Sequence, residues 1–206
     1  LFVRTVHWQK PLLFVLLATP FLLLLSDVLS GYVIDPIEEI TTPTGQWALR
    51  FLLLTLAITP LNKLLPFSII KYRRMIGVFS FFYACLHFSI WLIDRGFDIN
   101  DILADIIKRP YITIGFSAFV LLSLLAITST NSMVRRLGKR WKKLHKSIYL
   151  IAVLVSVHYY WQAKSDMDIE PMIYGAIALI LLGFRVKWPR LRQRLFGSTS
   201  SKKNNP

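Results

Sequence analysis

The sequence predicts an all-α integral membrane protein, a six-helix bundle with its N- and C-termini in the cytoplasm. Three observations lead to this fold class. Hydrophobic residues make up 54% of the 206 residues and the mean hydropathy is +0.51, which is high for a water-soluble domain. The apolar residues are gathered into six long runs. The basic residues that give the chain a net charge of +14 lie mainly between those runs.

The six apolar runs are the predicted membrane spans, and most approach the roughly 20 residues that cross a hydrocarbon core of about 30 Å. The first run follows a basic start but lacks a convincing small-residue cleavage site, so we interpret it as a retained span and not as a signal peptide. The sixth run is short and is expected to continue through Val186 and Trp188. The runs are Leu12–Ser30, Gln46–Leu65, Met75–Ile93, Tyr111–Thr130, Leu144–Gln162 and Met172–Phe184.

The distribution of charge predicts the orientation of these spans. Most of the 25 basic residues lie in the N-terminal segment, in the links after spans two and four, and in the C-terminal segment. Because Lys and Arg accumulate on the cytoplasmic side of membrane proteins, these segments are predicted to be cytoplasmic. The organisation is then a cytoplasmic N-terminus over 1–11, a six-span domain over 12–188 and a basic cytoplasmic tail over 189–206. We interpret the positive charge as a signal of topology and membrane lipid contact, not of nucleic-acid binding.

Histidines are the candidate ligands in this chain, because its single cysteine, Cys85, excludes an internal disulfide and a multi-cysteine metal site. His87 lies thirteen residues after Arg74, and His158 lies thirteen residues after His145. At about 1.5 Å per residue, both are roughly 20 Å from the predicted cytoplasmic edge. Two neutral imidazoles at one depth on different helices suit the two axial positions of a haem iron. The alternative is a pair of buried histidines that only hydrogen-bond to neighbouring helices, although intramembrane ionisable residues favour a functional role.

His145 lies at the predicted cytoplasmic surface in a basic segment, so a solvated residue facing the headgroups is the alternative to a ligand role. On an ideal helix with about 100° per residue, its side chain points about 140° away from that of His158. A straight helix therefore cannot direct both histidines at the same neighbour. At this level the third span offers Arg73 and Arg74 where a second histidine would be needed.

Three long stretches carry a resemblance to a known family. They are RRMIGVFSFFYACLHFSIW (73–91), KRPYITIGFSAFVLLSLLAITSTNSMVRRLGKRWKKLH (108–145) and SIYLIAVLVSVHYYW (147–161), and the second-span phrase ITPLNKL belongs with them. These stretches resemble the MsrQ (YedZ) family, the haem-binding membrane subunit of the bacterial protein-methionine-sulfoxide reductase system. The likeness runs from about Asp35 to Arg194 and so covers most of the chain.

The resemblance implies a haem site and its ligands. MsrQ proteins belong to the ferric-reductase-like transmembrane domains, whose two-haem members use two histidines on the third span and two on the fifth. The fifth-span pair is present here as His145 and His158, whereas the third span keeps His87 and has Arg73 where the pattern expects histidine. The resemblance thus implies one haem b between His87 and His158. The resemblance leaves open whether a second haem, with His145 as a ligand, lies at the cytoplasmic level. Arg73 is expected to contact a haem propionate.

The resemblance also implies a function. Such a subunit is a non-catalytic electron carrier in the bacterial inner membrane. It passes electrons to a periplasmic molybdopterin-containing methionine sulfoxide reductase, which repairs oxidised periplasmic proteins. The expected donor is a quinone or a cytoplasmic flavin or flavin reductase, and FMN is a possible cofactor. The sequence contains nothing resembling a Gly-rich phosphate loop, so the electrons are expected to come from another molecule.

A different class of function is a six-helix proton-coupled transporter or channel whose histidines relay protons. It predicts polar residues at several depths along several spans, whereas the intramembrane imidazoles here fall on spans three and five.

The roles of several other charged residues also have two interpretations. Arg50, Lys108 and Arg109 are expected either to reach the headgroups or to contact a haem propionate. The acidic links after spans three and five are either steering surfaces for a partner or ordinary solvated surface.

Overall fold

The structure is a computed structural model that describes residues 8–31, 35–163 and 169–185. Every regular element within these ranges is helical, and two short 3₁₀ turns, Ile70–Tyr72 and His145–Ser147, lead into α3 and α8. The helices are α1 (Gln9–Leu29), α2 (Pro36–Leu64), α3 (Arg73–Asp94), α4 (Ile99–Lys108), α5 (Pro110–Ile127), α6 (Asn131–Leu137), α7 (Lys139–Leu144), α8 (Ile148–Gln162) and α9 (Glu170–Gly183).

Four segments of the described chain are long and apolar enough to cross a membrane: Gln9–Leu29, Glu39–Leu64, Ile70–Asp94 and Pro110–Ile127. They correspond to the first four predicted spans and indicate a multi-pass membrane protein. Helices α8 and α9 have 15 and 14 residues, fewer than the roughly 20 that span a bilayer. The count of six spans and the cytoplasmic placement of the termini therefore stay predictions.

The helix boundaries differ from the apolar runs in two places. Helix α2 begins at Pro36, ten residues before the predicted second span, because its first turns carry Thr and Glu residues that lower the hydropathy without preventing a helix. The acidic link after the third span contains α4, which the sequence analysis did not predict. Asp98 caps this helix by accepting from the backbone N–H of Asn100 at 2.7 Å. Residues 1–7, the predicted tail over 189–206, and Val186 and Trp188 lie outside the described residues.

Helix α2 is at the centre of the packing. Its side chains take part in three buried apolar clusters, one with α1 and α3, one with α5 and α8, and one with α9. The most extensive helix pairs are α2 with α3 and α5 with α8. The lipid-facing sides of α1 and α9 expose large apolar side chains, as expected for helices whose solvent is hydrocarbon.

Helix α1 is interrupted at Pro20, and a tyrosine from α3 repairs the backbone there. The hydroxyl of Tyr83 accepts from the N–H of Phe21 at 2.8 Å and donates to the carbonyl of Leu17 at 3.0 Å. In a regular helix these two backbone groups would bond to each other. The Tyr83 side chain is fully buried, so the phenol both fills the α1–α3 interface and satisfies the backbone polar groups at the interruption.

Helix α2 has a similar repair at Pro60. Because proline has no N–H, the carbonyl of Leu56 lacks the donor four residues later. The guanidinium of Arg185 donates to that carbonyl at 2.9 Å and to the hydroxyl of Tyr149 at 3.2 Å. Arg185 lies two residues after the end of α9, so this contact fixes the end of the last described helix to α2 and α8.

Candidate functional site

The structure brings His87 and His158 together between α3 and α8. The centres of their rings are 6.4 Å apart and the ring planes are inclined by 78°. A metal–imidazole nitrogen bond is about 2.0–2.1 Å long for zinc, and a ring centre lies roughly 1.1 Å behind the nitrogen, so two rings on opposite sides of one ion have centres roughly 6.4 Å apart. The observed separation therefore suits one shared metal ion. Rotation about the two metal–nitrogen bonds allows the steep angle between the planes.

Each of the two rings is held by a backbone carbonyl of a neighbouring helix. The Nδ1 atom of His87 lies 2.9 Å from the carbonyl oxygen of Thr41 in α2, and that of His158 lies 2.7 Å from the carbonyl oxygen of Tyr111 in α5. Because a carbonyl only accepts, both Nδ1 atoms must carry the proton and donate it. The proton-free nitrogen of each neutral ring is then Nε2, whose lone pair is available to a metal.

A glycine makes room for each ring, four residues after the carbonyl that holds it. A Cβ atom on Gly45 would lie 3.0 Å from Nδ1 of His87, and one on Gly115 would lie 2.8 Å from Nδ1 and Cε1 of His158. Both distances are shorter than an ordinary contact of 3.4–4 Å. Any larger residue at these positions would displace the ring, so the two glycines define the positions of the imidazoles.

The two histidines line one cavity of about 580 Å³ between α2, α3, α5 and α8. This volume is within the range of about 300–1,000 Å³ that is typical of small-molecule and cofactor sites. One wall is formed by Phe88, whose ring stacks on that of Phe119 with centres 4.6 Å apart. A flat, largely apolar ligand with a central metal matches this combination of aromatic wall and paired imidazoles.

His145 and Arg73 lie together at the other level of the bundle, away from the cavity. The His145 ring stacks on Trp141 with centres 4.0 Å apart, and its Nε2 atom is 3.1 Å from the hydroxyl of Thr128. Arg73 begins α3 and interacts electrostatically with His145 and with Arg185. Among the described residues neither guanidinium has a carboxylate partner within ion-pair distance. The His145 side chain is in the 3₁₀ turn before α8, so the ideal-helix angle between it and His158 does not apply.

Charged residues near the C-terminal end of α3 contact α4. Asp105 is 8% exposed and forms ion pairs with Arg95 at 2.9 Å and with Arg109 at 3.0 Å. A hydrogen bond to the Tyr111 hydroxyl and the nearby Asp105 carboxylate raise the pKa of Arg109 above its ordinary value, so it stays charged. Asp105 is thus a buried structural partner and is not available as a steering charge for another protein.

Comparison with known proteins identifies the relatives of this chain. Residues 44–157 match the family described as ferric reductase like transmembrane component. Three relatives carry the name protein-methionine-sulfoxide reductase heme-binding subunit MsrQ. The protein from Herminiimonas arsenicoxydans is 52% identical over 87% of this chain and 84% of its own length, and that from Ralstonia nicotianae is 48% identical over 82% and 80%. The protein from Bordetella pertussis is 44% identical over 92% and 94%. The chain belongs to the MsrQ family. No solved structure matches it.

The resemblance to the MsrQ family seen in the sequence is therefore confirmed, and the matched residues 44–157 include Gly45, His87, Gly115 and His145. The roles of the two glycines and the two backbone carbonyls were not predicted from the sequence. Gly115 interrupts an apolar helical pattern, whereas Gly45 follows a polar stretch. A glycine inside a helix can signal a packing or functional role. That signal does not say which group approaches.

Proposed function

We propose that this MsrQ-family chain is a b-type haem electron-transfer subunit of a bacterial protein-methionine-sulfoxide reductase, with His87 and His158 as the axial ligands. The observation that carries the proposal is the pair of imidazoles 6.4 Å apart, each with Nδ1 bound to a carbonyl and Nε2 left for iron. The residues present fit a haem, because the cavity combines these nitrogens with an aromatic wall and two glycines that leave space for the rings. When bound between these two histidines, such a haem would supply a one-electron carrier suited to electron transfer and not to oxygen activation.

The chain's own residues have three tasks in this function. The carbonyls of Thr41 and Tyr111 fix the tautomer and orientation of the imidazoles, so little reorganisation is needed when the charge of the site changes. The apolar part of the cavity wall would limit the access of water to a bound haem. At the other level, His145 and Arg73 are proposed to border the site that receives electrons from a quinone or from a cytoplasmic flavin or flavin reductase, with FMN as a possible cofactor. The acceptor is proposed to be a periplasmic molybdopterin-containing subunit, where the sulfoxide is reduced.

The ligand assignment is tested by the visible absorption spectrum of the purified protein. We expect His87→Ala and His158→Ala each to lose the low-spin haem spectrum and to stop electron delivery. His7→Ala is the matched control, since His7 precedes the first span, and it should keep the full spectrum. If both cavity variants retain all of their haem with unchanged spectra, the assignment is wrong. A colourless wild-type protein that conducts protons would favour the transporter hypothesis.

The division of labour is tested with the reduced protein alone and with its proposed partner. The isolated subunit, chemically reduced, should not convert methionine sulfoxide to methionine. Addition of the periplasmic molybdoenzyme together with the sulfoxide should reoxidise the haem. Sulfoxide turnover by the membrane subunit on its own would contradict the proposal.

A further inference from the structure

The cavity that contains His87 and His158 has two unlike ends. On the side toward the N-terminus of α3, its lining is mainly apolar and includes Leu52, Leu122 and Val155; the hydroxyl of Ser80 at this end donates to the Ala48 carbonyl at 2.8 Å. On the side toward the C-terminus of α3, the lining includes charged and hydrogen-bonding side chains. We call this end the mouth and define it by Trp91, Arg95 and Arg109. A ligand with an apolar body and polar groups along one edge matches this polarity in one orientation only.

Trp91 gives the most direct indication of what the mouth accepts. It follows His87 by one helical turn, and its indole N–H is buried without a hydrogen-bond partner among the described residues. An indole nitrogen can only donate. A buried donor that stays unpaired is destabilising, and native structures contain few of them. The Nε1 atom has almost no accessible surface in this structure, so an acceptor bound in the cavity would meet the N–H only after a small rotation of the indole.

The two arginines of the mouth keep donor capacity for the same ligand. Both form ion pairs with Asp105, and Arg95 also contacts Asp94 at 3.6 Å, an acidic residue that lines the mouth as well. A guanidinium has five N–H donors, so these contacts leave others free. The sequence offered both Lys108 and Arg109 as candidates for contact with a propionate. Arg109 lines the cavity, whereas Lys108 does not.

Arg50 is engaged elsewhere. It donates to the hydroxyl of Tyr174 at 2.6 Å, forms an ion pair with Glu170 at 3.3 Å and stacks over the ring of Trp47 at 4.7 Å. It is not among the residues that line the cavity. The expectation that Arg50 contacts a propionate is therefore replaced by a structural role that joins α2 to α9.

From these contacts we infer that the mouth binds the carboxylate edge of the ligand: the two haem propionates lie between Trp91, Arg95 and Arg109, and the Trp91 indole donates its N–H to one of them. This inference rests on the proposed haem function. It determines the orientation of the haem in the cavity: the propionates are directed toward the C-terminal end of α3, and the apolar edge of the haem is directed toward Leu52 and Leu122. Trp91 is then a residue that binds the carboxylate edge of the ligand.

The test compares haem with its dimethyl ester, in which both propionates are neutralised. Protein produced without haem is titrated with each ligand in detergent, and binding is followed by the low-spin spectrum. The wild type should bind haem at least about tenfold more tightly than the ester, a ratio equivalent to ~1.4 kcal/mol and typical of one hydrogen bond to a charged acceptor. Arg109→Gln should reduce this preference severalfold while binding the ester as the wild type does. Trp91→Phe should also reduce the preference, but it should weaken ester binding slightly, because the ester carbonyls still accept a hydrogen bond. Unchanged ester binding by the Arg109 variant also shows that the cavity is intact.

Matched controls are available at the same end of the bundle. Trp161→Phe removes an indole three residues after His158 that does not line the cavity, and Lys108→Gln removes the charge next to Arg109. Both controls should keep the wild-type preference for haem. The inference is overturned if the wild type does not prefer haem to the ester, or if the Trp91 and Arg109 variants keep the full preference. A different result would contradict the proposed function itself. In that case His87→Ala and His158→Ala would bind both haem and its ester with an unchanged low-spin spectrum.

Discussion

Gly115→Ala should weaken haem binding through a single added methyl group. The new Cβ would lie 2.8 Å from the Nδ1 and Cε1 atoms of His158, where ordinary contact begins at 3.4 Å. The ring must therefore move by about 0.6 Å, the difference between these distances. That movement is directed into the cavity and lengthens the 2.7 Å hydrogen bond to the Tyr111 carbonyl. A ligand constellation has to be held to within about 0.5 Å, so the displaced ring no longer presents its nitrogen correctly.

The magnitude depends on whether the cavity is filled. Without haem the ring can move into open space, and alanine is favoured over glycine in a helix by about 1 kcal/mol, so the stability of the empty protein should hardly change. With haem bound the ring has no such freedom. Overpacking costs about 1–3 kcal/mol, which corresponds to a roughly fivefold to 150-fold loss of haem affinity. Gly45→Ala should act in the same direction but less strongly, because its Cβ would lie 3.0 Å from His87.

The assay is a haem titration of the empty protein in detergent, with thermal unfolding measured on the same samples. Gly77→Ala is the matched control, since its Cβ would meet Thr55 at an ordinary distance of 3.7 Å. It should bind haem normally and be slightly more stable. The reasoning is refuted if Gly115→Ala binds haem like the wild type, or if the control loses as much affinity as the Gly115 variant.

Three further predictions concern the repaired helices and the proposed electron-receiving level. Tyr83→Phe should destabilise the protein by about 1–3 kcal/mol in denaturant unfolding, because two buried backbone groups of α1 lose their partner. Arg185→Leu should cost a similar amount, and adding Pro60→Ala should recover much of it, because alanine restores the missing backbone donor within α2. His145→Ala should slow reduction from the cytoplasmic side in stopped-flow experiments while leaving the haem between α3 and α8 assembled, and Arg73→Ala should do so more mildly.

Each of these predictions has an outcome that contradicts it. Unfolding of the Tyr83→Phe protein at the wild-type midpoint would mean that the hydroxyl is not needed at the interruption of α1. Additive effects of the Arg185 and Pro60 changes would show that they do not share a carbonyl. A His145→Ala protein that is reduced at the normal rate would assign this histidine to the headgroup region alone.

The helical membrane fold and two histidines at one depth could be predicted from the sequence, because hydropathy and a fixed rise per residue depend on local residues only. The family was predicted from the resemblance of long stretches such as 73–91 and 147–161. The sequence did not predict what holds the histidines. Gly45 and Gly115 act on side chains from other helices, and glycine is frequent in membrane helices for several reasons. The role of Arg185 depends in the same way on a carbonyl more than a hundred positions away, which no local pattern reveals.

The attachment of each imidazole to a partner helix has a consequence for assembly. His87 of α3 is oriented by α2, and His158 of α8 is oriented by α5, and these are also the two most extensively packed pairs. Each pair can therefore form half of the coordination sphere before it meets the other. Binding of one prosthetic group would then join the two halves, and the free energy of that binding would be added to the stability of the seam between them. In that case the supply of haem during biogenesis would determine which fraction of the newly inserted chain reaches its mature fold. In haem-starved cells, proteases should cleave the chain between the α2–α3 pair and the α5–α8 pair.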